Sequence, residues 1–336
     1  MELSKSDTTA IKGIAICLLL WHHVFQDTAD YGHLGIALGA VDLFLFLSGY
    51  GLTKQYAQLE KPYLRNTVKF LAKRYLKFFL SYWFCFVIIV AVGNLFGYGF
   101  TDAYPHSRNT LKCVVLDVFG QMGYNSYLRP WWFNKMIIQL YLIFPLLYLV
   151  ARNKYSAMAG IVAIVLMQLY APSIPGRLFF VLEGGTPVFF LGMFFAKHSI
   201  IPGYYGGKRR VIAAIVAALL CSGLMALYLM GNMKPYENIV VKAFMAVSMV
   251  CFYSFAFRGN KVLEFIGKYS TIVYLVHTVF QVLIPGVVYA PKVPILIFLL
   301  FVALSLTAAF FISYLQKLVR FDKLQSFVVR KIDELL

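Results

Sequence analysis

The chain has 336 residues, 61% of them apolar and only 13% charged; soluble domains carry about 25% charged residues, so this composition suits a bilayer rather than a soluble core. The net charge of +17 raises the question of nucleic acid, but the basic residues fall in short blocks between apolar runs, where they set membrane topology, and this excludes a nucleic-acid binder. Of Cys17, Cys85, Cys113, Cys221 and Cys251, four lie inside apolar runs and none forms a CxxC pair, which excludes a disulfide framework and a cysteine zinc site.

In chain order, Lys5 and Lys12 precede the first apolar run and imitate a signal peptide. No small-residue cleavage site follows, and His22-His23 interrupt the run, so it reads as a retained first helix. Apolar runs of spanning length fall at 11–26, 34–53, 78–96, 131–150, 156–171, 178–196, 211–230, 238–257, 266–290 and 294–316. The expected fold is therefore all-α: about ten transmembrane helices in one membrane domain, 1–316, with no internal repeat, followed by a cytoplasmic tail, 317–336. Basic residues concentrate in alternate loops, heavily at 54–77 and 197–210 and again from Lys317 onward, while the intervening loops carry few. This bias predicts both termini inside and a multi-pass protein of the cell's inner or plasma membrane.

Two inside segments carry more than charge. The tail alternates basic residues with Leu318, Val319, Phe321, Leu324, Phe327, Val328 and Ile332, the pattern of an amphipathic helix on the inner leaflet. The loop 54–77, rich in Lys, Tyr and Phe, suits the same surface or anionic lipid alone. On the outside, 97–130 is the longest loop and is followed at once by Trp131 and Trp132. Its Tyr98, Tyr104, His106, Tyr124 and Tyr127 are read either as interfacial belt residues or as the floor of a sugar site.

A charged side chain at a helix centre costs about 2.5–3.5 kcal/mol on insertion scales, so it calls for a reason. The candidates are His22, His23, Asp42, Asn134, Lys135, Gln139, Glu183, Lys242 and His277. Lys12 and His23 are eleven residues, about three turns and about 16 Å, apart on one helical face. His22 is rotated from that face by about 100°. Without further information the pair also reads as interfacial histidines satisfied by water. Asp42 is expected near mid-membrane, where it needs a cationic partner or a proton. Ser48-Gly49 suits close helix contact. Glu183-Gly184-Gly185-Thr186-Pro187 breaks the sixth run, as at a cavity or a surface kink. His277 is expected at mid-depth in the ninth. No HExxH, Walker loop, GxGxxG or GxSxG occurs, which leaves metal and nucleotide-fold chemistry unsupported.

Three stretches resemble the membrane-bound acyltransferase-3 family, bacterial O-acyltransferases that modify surface polysaccharides. They are Lys12-Gly13-Ile14-Ala15-Ile16 running to His23, Val41-Asp42-Leu43-Phe44-Leu45-Phe46-Leu47-Ser48-Gly49-Tyr50, and Ile266-Gly267-Lys268-Tyr269-Ser270 through Tyr274-Leu275-Val276-His277. Lys73-Arg74-Tyr75-Leu76-Lys77 and Trp131-Trp132-Phe133 through Phe144-Pro145 resemble the family more loosely, with Leu80 where many members have Pro. Lys12 replaces the commoner Arg, which removes a bidentate phosphate contact.

The resemblance implies acyl-CoA, most often acetyl-CoA, as donor substrate, with no permanently bound cofactor or metal, and a glycan or lipid-linked saccharide as acceptor. It implies Lys12, Lys73, Arg74 and Lys77 on the donor's phosphates, His23 as general base or acyl relay, and Asp42 orienting His23 or balancing a cation. Ser48 is then an oxyanion donor, with Glu183 and His277 as further candidates. The rival class is a secondary transporter or glycan exporter, which also combines ten helices with intramembrane acids and a broken helix.

Overall fold

The computed structural model describes residues 2–35, 39–59, 64–170, 185–200, 207–230 and 235–335. The described regular structure is entirely helical. In order come α1 (Lys5–Phe25), α2 (Ala40–Tyr56), α3 (Leu64–Leu95), α4 (Phe100–Ala103), α5 (Thr110–Val118), α6 (Trp132–Val150), α7 (Lys154–Tyr170), α8 (Thr186–His198), α9 (Gly207–Leu229) and α10 (Pro235–Phe252), which continues into a π-helical turn, Tyr253–Phe257. Then follow α11 (Lys261–Val276), α12 (Thr278–Leu283), α13 (Pro285–Val288), α14 (Pro294–Leu318) and α15 (Phe321–Leu335). Local chemistry sets several boundaries. Asn109 Oδ1 accepts the Lys112 N–H at the start of α5, and Asn260 Oδ1 accepts those of Val262 and Leu263 at the start of α11. Pro187 and Pro294 stand in the first turns of α8 and α14, where a missing N–H costs nothing.

Six described stretches are long and apolar enough to cross a membrane: Lys5–Phe25, Leu64–Leu95, Arg129–Val150, Gly207–Leu227, Val240–Phe257 and Pro294–Leu318. Their outer faces require lipid. Leu142, Leu146 and Leu149 recur at helical spacing on α6 and are 65%, 65% and 68% exposed, a stripe that water would not tolerate.

Several runs differ from expectation in detail. The basic segment 54–77 is not a loop throughout, because Leu64 onward belongs to the 32-residue α3. The run 266–290 is broken at His277 and again before Pro285. The stretch 97–130, expected as a loop, contains α4, α5 and short 3-10 turns. Asp42 stands in the first turn of α2, after Gly39 in the left-handed region (φ 68°), rather than deep in a helix. There the free N–H groups and the helix dipole favour a carboxylate.

The chain divides into two compact units. The first comprises Met1–Leu19, Ala37–Glu60 and Leu142–Lys268. Its helices approach through glycine. A Cβ on Gly49 of α2 would run into the Phe189 carbonyl oxygen of α8, and one on Gly192 of α8 into that of Phe46 on α2. Gly13 and Gly267 make the same close crossing between α1 and α11, against Leu263 and Thr9 carbonyls. Two of its acids are paired: Asp7 with Arg258 (3.1 Å), Ser4 and Tyr253, and Glu2 with Lys54 and Ser199.

The second unit comprises Leu20–Ile36, Lys61–Tyr141 and Tyr269–Leu336. Its core is aromatic, with Tyr82, Phe86, Tyr127 and Trp131 packed together and the Trp131 indole N–H donating to the Leu275 carbonyl at 2.9 Å. α15 lies along α3. Phe321 meets Phe84, Gln325 reaches Ser81, and Asp333 takes the Lys73 ammonium at 2.6 Å while its backbone carbonyl takes that of Lys69.

Candidate functional site

The C-terminal end of α1 holds the two histidines, and the second unit gives them different partners. His22 is tied to the following loop, its Nδ1 bonded to the Gly35 carbonyl at 2.8 Å, beside the Trp21 indole on the Leu34 carbonyl. His23 faces the other way. Its ring lies 5.1 Å from that of His277, and its Nδ1 meets the side-chain amide of Gln26 at 2.9 Å. The spacing i to i+3 puts Gln26 on the His23 face of the same helix. A C-terminal helical turn leaves carbonyls without partners. Here Gln281 of α12 donates to the His23 carbonyl at 2.7 Å, and the Tyr289 hydroxyl donates to that of Val24 at 2.9 Å, with Gln281 also donating to Tyr289.

His277 is fully buried at the break between α11 and α12. Its Nδ1 donates to the Tyr274 carbonyl (2.8 Å), with that of Val273 close by, so the lone pair of the neutral ring is on Nε2. That Nε2 is buried and has no hydrogen-bond partner among the described residues.

Beyond His23 opens a cavity of about 780 Å³ whose walls include Gln26, Asp27, Tyr104, Tyr127, Gln281 and Tyr289. Asp27 and Arg129 pair across 3.3 Å at exposed positions on this wall. Of the aromatic residues singled out in and just after 97–130, Tyr98, Tyr124 and His106 also line the cavity, whereas Trp131 is core. One buried carboxylate organises this wall. Asp117 of α5 is fully buried and accepts the Tyr104 hydroxyl at 2.7 Å, the Tyr127 backbone N–H, and the Tyr82 hydroxyl more distantly. Burial pushes its carboxyl above the usual range, against the pull of those hydrogen bonds.

The remaining expected residues are dispersed. Asp42 belongs to the first unit, where it is 8% exposed and the charge acting on it is that of Lys242. Lys12 and Ser48 are half-buried in the same unit. Ser48 adjoins the glycine contact just described. Lys73, Arg74 and Lys77 sit on α3 in the second unit: Lys73 is held by Asp333, the Arg74 Nε is buried with no partner among the described residues, and Lys77 is exposed. Lys73 in turn holds the Asp333 carboxyl below its usual value. Asn134 and Gln139 are on α6, where Asn134 Oδ1 accepts the Tyr274 hydroxyl. Glu183 lies outside the described residues.

Gln26, Gln281, Tyr289 and Asp117 were not anticipated. Gln26 had a signal in its spacing from His23, and Asp117 in being a lone acid within Val114-Val115-Leu116-Asp117-Val118. Gln281 and Tyr289 reach α1 from about 260 residues away, and no local pattern announces such a contact.

Spanning helices with lipid-facing stripes, together with a histidine pair whose neighbours Gln26 and Gln281 line a cavity, define a multi-pass membrane protein with the makings of an active site. A family model described as an acyltransferase domain matches residues 8–314. The chain belongs to that family, acyltransferase-3, and is a membrane acyltransferase. No curated protein and no solved structure matches it significantly.

Proposed function

We propose that the protein transfers an acyl group, acetyl in the first instance, from cytoplasmic acyl-CoA to a hydroxyl of a surface or lipid-linked glycan, with His23 as the general base. The observation that carries this reading is the placement of His23 in a chain of this family, flanked by Gln26 and Gln281, both of which line the cavity. The acceptor occupies that cavity, whose tyrosines offer the stacking faces and hydroxyls that sugars use. The topology is ten spans with both termini inside, in the inner or plasma membrane, so the cavity opens outward. On α3, Lys73, Arg74 and Lys77 take the donor's phosphates at the inner face, and Lys12 is the corresponding cation of α1. In the reaction the acceptor oxygen forms a bond to the acyl carbon as the thioester C–S bond breaks. The hydroxyl proton passes to His23 and from there to the departing CoA thiolate.

The test is His23→Ala in membranes supplied with radiolabelled acetyl-CoA, reading label in the glycan fraction. A general base contributes about 10²–10⁴-fold, so label falls to background while the amount of inserted protein is unchanged. Wild-type incorporation in that variant would end the reading.

A further inference from the structure

The contact between Gln26 and His23 has consequences for which imidazole nitrogen can act. A neutral imidazole has one N–H and one lone pair, so whatever binds Nδ1 decides what Nε2 offers. As placed, the Gln26 amide nitrogen is the atom 2.9 Å from His23 Nδ1; the amide oxygen has the same size and shape and meets Nδ1 when the amide is turned over. With the amide N–H toward the ring, Nδ1 is the acceptor and Nε2 bears the proton, useless as a base. With the amide oxygen toward the ring, Nδ1–H is the donor and Nε2 carries the lone pair. The second arrangement also serves the imidazolium formed when a hydroxyl proton arrives, because its Nδ1–H then has an acceptor.

Gln26 is well held for such a task. Its backbone N–H bonds the His22 carbonyl at 2.9 Å, closing the last turn of α1. Gly35 folds against it so closely that a Cβ there would overlap the Gln26 backbone nitrogen and Cα. The loop anchored by Trp21 and His22 thus presses on Gln26 from behind. Its side chain bridges His23 and the cavity wall. The other ring beside His23, that of His277, commits its Nδ1 to backbone carbonyls and offers only a lone pair, so it cannot keep His23 Nε2 unprotonated.

Resting on the acyltransferase reading above, we propose that Gln26 is the positioning residue of His23: its amide oxygen accepts the Nδ1 proton and keeps the Nε2 lone pair turned to the acceptor hydroxyl. Gln26 neither takes nor gives a proton in the reaction.

Two measurements decide it. In protein labelled with ¹⁵N-histidine in lipid at mildly alkaline pH, the His23 signals are those lost in His23→Asn. The wild type should show Nδ1 protonated, Gln26→Glu should keep that tautomer, and Gln26→Leu should move the proton to Nε2. An Nε2-protonated wild type, or a Leu variant with unchanged tautomer, overturns the proposal without any substrate being needed. In the labelled acetyl-CoA assay, Gln26→Leu should lose on the order of 10²-fold in kcat with the KM for acetyl-CoA little changed, and Gln26→Glu, which retains an oxygen acceptor, should restore most of it. A residue that merely packs would lose protein abundance in both variants and show no such rescue. If His23→Ala is inactive and both Gln26 variants run at the wild-type rate, the positioning role falls and the base remains; if His23→Ala is active, both fall.

Discussion

The two units spend their sequence differently. In the first, glycines let backbones touch: Gly49 against Phe189, Gly192 against Phe46, Gly13 against Leu263. Its acids Asp7 and Glu2 are closed off by basic and hydroxyl partners. In the second, uncharged polar side chains gather where α1 ends and α12 begins, beside a cavity, and some have capacity left over. His277 Nε2 is one such atom; Asn134 Nδ2 and Gln139 Oε1 of α6 are likewise buried with no partner among the described residues, as are Thr53 Oγ1 and His198 Nε2 in the first unit. A buried polar atom without a partner costs about 1–3 kcal/mol, a cost accepted more readily where it serves chemistry. On the reading proposed above, the first unit is mainly scaffold, with Lys12 its contribution to donor binding, and the second holds the proposed base His23.

The sharpest way to break that comparison is to enlarge the contact glycines. Gly192→Val or Gly49→Val places methyl groups on a backbone carbonyl that has nowhere to go. Overpacking costs typically about 1–3 kcal/mol even where side chains can adjust, and more against backbone. The variants should fail to accumulate as monodisperse protein in detergent, unlike His23→Ala, which should accumulate normally and do nothing. A well-folded, inactive Gly49→Val would place chemistry in the first unit after all.

The adjacent histidines give the next largest effect. His22→Ala removes the bond to the Gly35 carbonyl, a loss of about 1 kcal/mol. Thermal unfolding should come earlier, while acyl transfer stays within a few-fold of wild type. A collapse of activity equal to that of His23→Ala would mean the helix face is misassigned.

A smaller effect is expected where α15 meets α3. Asp333→Asn releases the Lys73 ammonium, held now at 2.6 Å by an exposed partner. Exposed pairs contribute little to stability, so folding should be unchanged. If Lys73 binds the donor's phosphates, KM for acetyl-CoA should drop about two-fold, an effect that salt erases. An unchanged KM would leave α15 with a packing role alone.

What the sequence disclosed follows from the range of each interaction. Spanning runs are legible because the lipid-facing residues of a helix must be apolar, and helical phase alone distinguished the faces of His23 and His22. The motif glycines Gly13, Gly49 and Gly267 were visible as letters, but what each touches was not, since their partners Leu263, Phe189 and Thr9 come from distant helices. Asp42 was expected near mid-membrane, and its place in the first turn of α2 was not legible because hydropathy cannot locate the start of a helix within an apolar run. The site was half legible. His23 was singled out from its spacing to Lys12, whereas its neighbours Gln281 and Tyr289 depend on a fold that brings α12 to the end of α1.

The subtlest test concerns the wall of the cavity. Asp117 is buried among hydroxyl and N–H donors, and burial leaves its folded-state carboxyl with a raised affinity for protons. An acid whose pKa is higher folded than unfolded stabilises the fold fully below the unfolded value, about 4, and loses that contribution as pH rises through the folded one. The wild type should therefore melt at higher temperature in mildly acid buffer than at neutral pH, with the change confined to the window just above the ordinary carboxylate range. Asp117→Asn keeps an oxygen for the Tyr104 hydroxyl and the Tyr127 N–H but cannot ionise, so it should flatten that dependence and leave the cavity in shape. The effect is bounded by the single proton one carboxyl can take up. If the slope survives in Asp117→Asn, another group titrates there; if acyl transfer vanishes with the slope, the carboxylate's charge reaches beyond the wall into the reaction, and the division between scaffold and chemistry runs inside the second unit as well.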